Sequence, residues 1–399
     1  MTTRPWLVLG AVALGNLVVA ALHFGLAAAA PVVRDQLDIG TAVLGLVLAS
    51  PAIGLMLGTY GWGVLSDHTS ERRVLTGAFV GFAAVTFAGA SALSARDPLW
   101  FTIAILGSGL FGSAAHSAGG RAISAAFPVE RHGLVLSIRH VAIPIGAALG
   151  GVVVPLTANA WGLPFTLFCA GVAGVVAAIG MAWLVPSSRS RAARAARAES
   201  AVRGSSPLRL PRMWLLAAGA GSLAFVQLGI GSFLTVQLVD RADTRLAVAA
   251  GIFTIAQLAG AAGRIILGVV SDRARSRVDV LLAVAGAVGV LVIASMAAPG
   301  GMAPALLQAA ALVVVTSCNG VVVAVAASFA PVGRTGATLG MQTTANALAC
   351  SIAPIMLGVV LARSTWLAYE LVLLAAVVVS LFALGRLRGA TGGSAEEHR

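Results

Sequence analysis

Six side chains able to carry charge stand inside otherwise apolar stretches: His23, His116, Arg121, Arg139, His140 and Arg264. An ionisable group in the middle of a lipid-buried helix costs roughly 2.5 to 3.5 kcal/mol on insertion scales, so each is a candidate for binding or proton transfer. Histidine changes charge near neutral pH, and arginine is a fixed cation with five donors, so these types suit proton carriage and anion binding. No Asp or Glu lies at the centre of any such stretch, and Glu370 stands near the end of the last. Cations without central carboxylates favour an anionic or neutral ligand over a cationic one. Gln227, Gln257, Thr316, Ser317, Asn319, Gln342 and Asn346 add neutral hydrogen-bonding groups, each of which could equally be packing glue between helices. Arg139 is about six residues into its stretch, roughly 9 Å from its end, and can reach either a ligand or the head groups. Arg121 and Arg264, within roughly two turns of a stretch end and so able to snorkel, read as structural residues. His23 and His116 are open to both a packing and a proton-carrying role.

Other chemistry finds no support. There is no HExxH, no nucleophile elbow and no central acid pair, and no cofactor motif is present. Cys169, Cys318 and Cys350 have no metal-like spacing. Gly107-x-Gly109-x-x-Gly112 matches a dinucleotide fingerprint, but it sits in an apolar stretch with no preceding strand, so the match is fortuitous.

The elements that must position these residues follow from composition. Of 399 residues, 59% are hydrophobic and 10% charged, with a mean hydropathy of +0.96. A soluble domain carries about 25% charged residues, so this chain lacks the polar surface to cover water-soluble domains. Apolar stretches lie near 6–31, 42–66, 74–95, 99–126, 134–157, 164–185, 213–238, 247–270, 280–298, 303–328, 337–361 and 366–386. Each is long enough to cross a bilayer and lacks the alternation of a barrel strand, which predicts twelve membrane-spanning helices and an all-α membrane protein. The first run is about 25 residues long, beyond the 7 to 15 of a signal peptide's core, and reads as a span. Gly54-x-x-x-Gly58, Gly77-x-x-x-Gly81 and Gly146-x-x-x-Gly150 predict close helix packing.

All 26 basic residues are Arg, and the net charge of +12 suggests a polyanionic partner until they are placed between spans. Eighteen fall in connections on the side of both termini, five on the other, and three inside spans. The positive-inside rule then puts both termini in the cytoplasm of a plasma-membrane protein, with no nucleic-acid role. Ser187–Arg212 is the one long polar connection and carries seven Arg. Topology alone accounts for it, and contact with anionic membrane lipids is the alternative. The expected organisation is a six-helix bundle over 1–186, a basic linker over 187–212, a second bundle over 213–388 and a tail over 389–399.

Self-comparison supports that division. Gly63-Val64-Leu65-Ser66-Asp67 recurs 205 residues later as Gly268-Val269-Val270-Ser271-Asp272, and Pro128-Val129-x-Arg131-x-Gly133 recurs 203 residues later as Pro331-Val332-x-Arg334-x-Gly336. Parallel six-helix repeats of this kind are a transporter architecture with the substrate site between the halves near mid-membrane.

These motifs resemble the major facilitator superfamily, whose signature after the second helix is a Gly, an Asp and a basic cluster. Gly63, Asp67, Arg72 and Arg73 match it, and Gly268, Asp272, Arg273 and Arg277 repeat it. His68, Ser70 and Glu71 depart from the pattern in the first copy. The resemblance implies alternating access by a monomer, a conformational latch at these eight residues, with Gly63 and Gly268 allowing close helix crossings, and first and fourth helices that line the cavity. The Arg that often precedes the glycine run in the fourth helix of proton-coupled exporters is absent from Ile103 to Leu106. The fifth helix reads Ile143-Pro144-Ile145-Gly146 rather than the drug-antiporter Gly-Pro-x-x-Gly-Gly, and with Arg139 ahead of it looks more like the cyanate-permease and organic-anion branches. The implied function is transport of a small organic anion or polar metabolite, with His23, His116, Arg139, His140, Gln227, Gln257, Asn319, Gln342 and Asn346 as substrate-site candidates and protons as one candidate coupling ion. Export of apolar compounds and a transport-dead sensor are the alternatives. The orientation is checked by fusing alkaline phosphatase or a fluorescent protein to the C-terminus: a fluorescent, phosphatase-inactive fusion is expected, and an active phosphatase would overturn the topology.

Overall fold

A computed structural model describes residues 5–94, 97–128, 131–187, 207–331 and 335–396. Most of the proposed linker therefore lies outside the described residues. Among those described the chain is helical throughout, with eleven helical runs long and apolar enough to cross a membrane. One of them, Ile138–Leu184, is 47 residues long. It changes direction at Gly162, whose φ of 84° and ψ of 163° leave the helical region, so the run contains two spans and the total is twelve. Only glycine adopts that backbone without strain. Gln36 holds the turn from the first span: its Nε2 donates to Ala158 O at 3.1 Å, and its Oε1 accepts Leu163 N–H at 3.0 Å. The twelfth span runs as one helix over Trp366–Glu396, into the stretch expected to be tail.

Two spans break at matching places. The fourth is Pro98–Gly112 followed by Ala114–Ala126, and the tenth is Met302–Ser317 followed by Asn319–Ser328. The interrupting residues, Ser113 and Cys318, are 205 apart, the offset of the motif repeat. Ser113 Oγ donates to Leu110 O at 2.8 Å and Cys318 Sγ to Val315 O at 3.2 Å, so a hydroxyl and a thiol bond the carbonyl three residues back in each copy. Such back-bonding competes with the helix ladder and bends it. The first span also breaks, at Ala29, two residues before Pro31, whereas Pro211–Ala242 in the second repeat is continuous.

The described residues form two compact units, one within Met1–Arg194 with Arg245–Thr254, the other within Ala195–Thr244 with Ile255–Arg399. In the first, small residues set the helix spacing. A Cβ on Gly146 would collide with Leu17 O, and one on Gly150 with Ala21 O, so the first and fifth spans touch backbone to backbone. Gly54 and Gly58 likewise meet Leu106 O and Leu110 O across the second and fourth spans. The fourth span's glycines each serve a different neighbour: Gly107 meets Val85, Gly109 meets Pro51 O and Gly112 meets Val19. In the second unit the corresponding crossing is looser, with Gly221 opposite Ala345 and Ala349. Side-chain bonds to main-chain carbonyls join the seventh and twelfth spans instead, from Tyr369 Oη to Gly229 O at 3.1 Å and from Ser380 Oγ to Gly219 O at 2.9 Å.

Outward positions are apolar, as at Ile265, Val290 and Phe382, which matches a lipid-facing surface. Gly150→Val should lower stability by about 1 to 3 kcal/mol through overpacking against backbone that cannot move aside. Gly180→Ala, where an added Cβ meets nothing within 4 Å, should leave it unchanged or slightly higher. Thermal melting of the two purified variants checks the contrast.

Candidate functional site

The first unit gathers its polar groups on three spans. Val12 underlies Gly119, Val19 underlies Gly112, and His23 Nε2 meets Ser108 Oγ at 3.0 Å, so the first and fourth spans run antiparallel with residues 12 to 23 against 119 to 108. Asn16 stands on the same stripe, at the level of His116. Asn16 is 2% exposed and its Oδ1 has no hydrogen-bond partner among the described residues; neither has His116 Nδ1.

Arg139 enters from the fifth span and is buried. Its Nη1 donates to His116 O at 3.1 Å, and its Nη2 lies 3.0 Å from His140 Nε2. Gly120 makes room for it, since a Cβ there would stand 2.8 Å from Nη1. The ion pairs given by the described residues are Arg34 with Asp35, Arg241 with Glu370, Arg277 with Asp272 and Arg388 with Asp279; none involves Arg139. A buried guanidinium with neutral partners alone is an incomplete charge pair.

In the second unit the candidates form separate pairs. Gln342 Nε2 donates to Asn346 Oδ1 at 2.9 Å, and Asn319 Nδ2 to Gln227 Oε1 at 3.3 Å. Gln342, the repeat counterpart of Arg139, is buried like it. Gln257 is buried on the eighth span, and Thr316 Oγ1 has no partner among the described residues.

Arg121 and Arg264 brace neighbouring helices, in line with their structural reading: Arg121 Nη2 donates to Gly63 O at 2.8 Å and Arg264 Nε to Thr316 O at 3.0 Å. One expectation is corrected: Gly63 and Gly268 do not make close crossings, since an added Cβ at each meets nothing within 4 Å. What Gly63 supplies is its carbonyl, left accessible to Arg121. Among the residues expected to form a latch, Asp272 Oδ1 pairs with Arg277 Nη2 at 2.9 Å, with both side chains well exposed. Arg72, Arg73 and Arg273 are exposed, and the Asp67 side chain lies outside the described residues. Sequence reasoning missed Asn16, Ser108 and Gly120; a polar or small residue one or two turns from a candidate on the same stripe was the available signal.

Comparison with known proteins agrees with this architecture. The sequence profile of the Major Facilitator Superfamily matches residues 12–354. An uncharacterized MFS-type transporter of Mycobacterium tuberculosis strain CDC 1551 / Oshkosh is 32% identical over 319 residues, 79% of this chain and 70% of that protein. Its counterpart in strain H37Rv matches equally. In solved structures, a bacterial homolog of the human lysosomal transporter Spinster, inward-facing and unoccupied, superposes with a TM-score of 0.77 at 14% identity over 97% of both chains. A mutant of the nucleoside transporter NupG gives 0.74 at 14% identity, over 96% of this chain and 99% of that one. Duplicated helices, relatives and profile converge, and the chain belongs to the major facilitator superfamily as a multi-pass membrane transporter.

Proposed function

We propose that this transporter carries a small organic anion or polar metabolite across the plasma membrane by alternating access, as a monomer with both termini cytoplasmic. The halves over 1–186 and 213–388 are the moving bodies, and Arg139 supplies the charge that selects the substrate. The observation that carries this reading is the buried Arg139 guanidinium with no carboxylate partner among the described residues. His116, with its unpartnered Nδ1, and His23, bonded to Ser108, are the groups able to pass a coupling proton. Gln227, Gln257, Asn319, Gln342 and Asn346 supply neutral contacts from the second half.

Export of apolar compounds is the second reading, and one feature favours it. A groove of about 700 Å³ in the second unit is lined by Trp214, Phe225, Leu348, Ile352 and Met356 among other apolar residues.

Arg139→Gln separates the two, because it copies Gln342 and removes charge while keeping hydrogen-bonding capacity. A hydrogen bond to a charged group contributes about 1.5 to 3 kcal/mol, so uptake of the anion selected in a counterflow screen should weaken about tenfold or more, with neutral-analogue binding retained. Unchanged anion uptake would sink the anion reading; export of apolar compounds at wild-type rate in the same proteoliposomes would favour the rival. For the latch, the Asp67→Asn and Asp272→Asn double variant should insert normally yet transport more slowly, with apparent substrate affinity unchanged. Wild-type turnover in that variant would remove the latch from the mechanism.

A further inference from the structure

The groove of about 700 Å³ in the second unit runs between the seventh span, the eleventh, Thr335–Arg363, and the twelfth. It exists because these spans stand apart. At the offset of 203, Gly146 and Gly150, which press the fifth span onto the first, correspond to Ala349 and Ala353. The methyl groups hold the eleventh span off the seventh, and small side chains such as Ala217, Ala345 and Ala376 leave the space between them unfilled. Leu348 and Val379 on its rims are half exposed, so the groove opens to the hydrocarbon around the unit.

Its two ends differ. Toward mid-membrane it is closed, because an added Cβ on Gly229 would run into Leu357 and Leu373, and Tyr369 Oη donates to Gly229 O. At the other end, on the side of the chain's termini, it opens beside Trp214, whose Nε1 donates to Leu208 O at 2.8 Å and so fixes the indole at the mouth. From Trp214 to Phe225 the seventh span rises about 16 Å, against roughly 15 Å for one leaflet of a hydrocarbon core about 30 Å thick. The groove is therefore one leaflet deep, with a tryptophan where aromatic belts meet head groups.

Arginines stand at the same end, and they divide into two kinds. Arg212 Nη2 donates to Phe329 O at 3.4 Å with its guanidinium over that ring, and Arg388 pairs with Asp279 at 2.8 Å. Arg209, next to Leu208, and Arg386 are exposed and have no carboxylate partner among the described residues. Arg386 continues the stripe of Val372 and Val379 at a spacing of seven, with its guanidinium 5.0 Å from the centre of the Phe382 ring. A leaflet-deep apolar groove with two unneutralised cations at its mouth complements an apolar tail on an anionic head.

We propose that this groove binds one anionic phospholipid of the leaflet on the side of the termini. One acyl chain lies along Ala217, Gly221 and Ala376, and the head-group phosphate sits between Arg209 and Arg386. Basic pockets between spans hold anionic head groups in this way, and each arginine contributes about a fivefold preference over a zwitterionic lipid. The lipid joins the seventh span to the eleventh and twelfth where glycine contact joins the first span to the fifth. The inference needs the transporter fold but not the anion reading, and it competes with apolar-compound export for this groove.

The test places the full chain in phosphatidylcholine nanodiscs doped with lipid brominated along its acyl chains, and reads quenching of Trp214 as the difference between wild type and Trp214→Phe. Brominated phosphatidylglycerol should reach half-quenching at a mole fraction about twentyfold below that of brominated phosphatidylcholine. Arg209→Gln combined with Arg386→Gln should remove that preference. Ala376→Phe, which fills the groove and keeps both charges, should remove it as well; should that variant fail to fold, Ala345→Leu fills the groove from the eleventh span. Equal quenching by the two lipids in wild type would overturn the proposal and leave the groove to an apolar substrate, and quenching by neither would assign it to a second copy of the chain. A preference that survives filling of the groove would overturn it too, because attraction of head groups to an exposed cationic surface needs no groove.

Discussion

Hydrocarbon offers no water to an unpaired N–H, C=O or side-chain polar atom, so every polar group in this chain needs a partner made of protein. That requirement produces helices first, because a helix closes its own main-chain bonds. It then governs the side chains: Thr59, Thr86, Thr157, Ser317 and Ser351 each donate to the carbonyl four residues back, which lets them face lipid or packed helix at little cost. Residues that cannot turn back on their own helix reach across. Trp62 Nε1 finds Leu110 O, Arg121 finds Gly63 O, and Arg264 finds Thr316 O. Among the described residues, orphaned buried atoms such as Asn16 Oδ1, His116 Nδ1, Thr316 Oγ1 and Gln308 Oε1 are therefore the exceptions.

The same constraint explains why the two repeats differ in how they hold together. The first relies on glycine, which lets carbonyl and helix approach until little else fits between them. The second replaces glycine by alanine at the matching crossing and adds tyrosine and serine bonds to the main chain. Contact area and hydrogen bonds are interchangeable means of fixing one helix against another, and a duplicated unit is free to shift the balance in each copy.

Much of this was legible in the sequence. Long apolar runs define helices because no other backbone survives in lipid, and the recurrence of Gly63 to Asp67 as Gly268 to Asp272 reveals the duplication. Arg139 and His140 stood out by charge alone. Pairings across helices were not legible, since helical periodicity says which face a residue occupies but not what faces it. The carbonyl partners of Arg121 and Arg264 were hidden for that reason, and Glu370 looked marginal because its position in the run near a span end hides the convergence of Arg241, Ser295 and Gln308. Gly63 shows the complementary limit: a glycine suggests close approach, whereas here it leaves a carbonyl uncovered.

The fourth span carries Ser108 among, and His116 one turn beyond, glycines that touch three different neighbours, Gly107 meeting the third span, Gly109 the second and Gly112 the first. Side-chain growth at any of these three positions would wedge apart a separate helix pair, whereas a change at Ser108 or His116 alters a polar group without touching those contacts. Polar groups and packing contacts thus occupy interleaved positions of one helix. The polar set can vary by substitution while the glycine crossings that space the neighbouring helices stay as they are, so tolerance to change is a property of this spacing as much as of the fold.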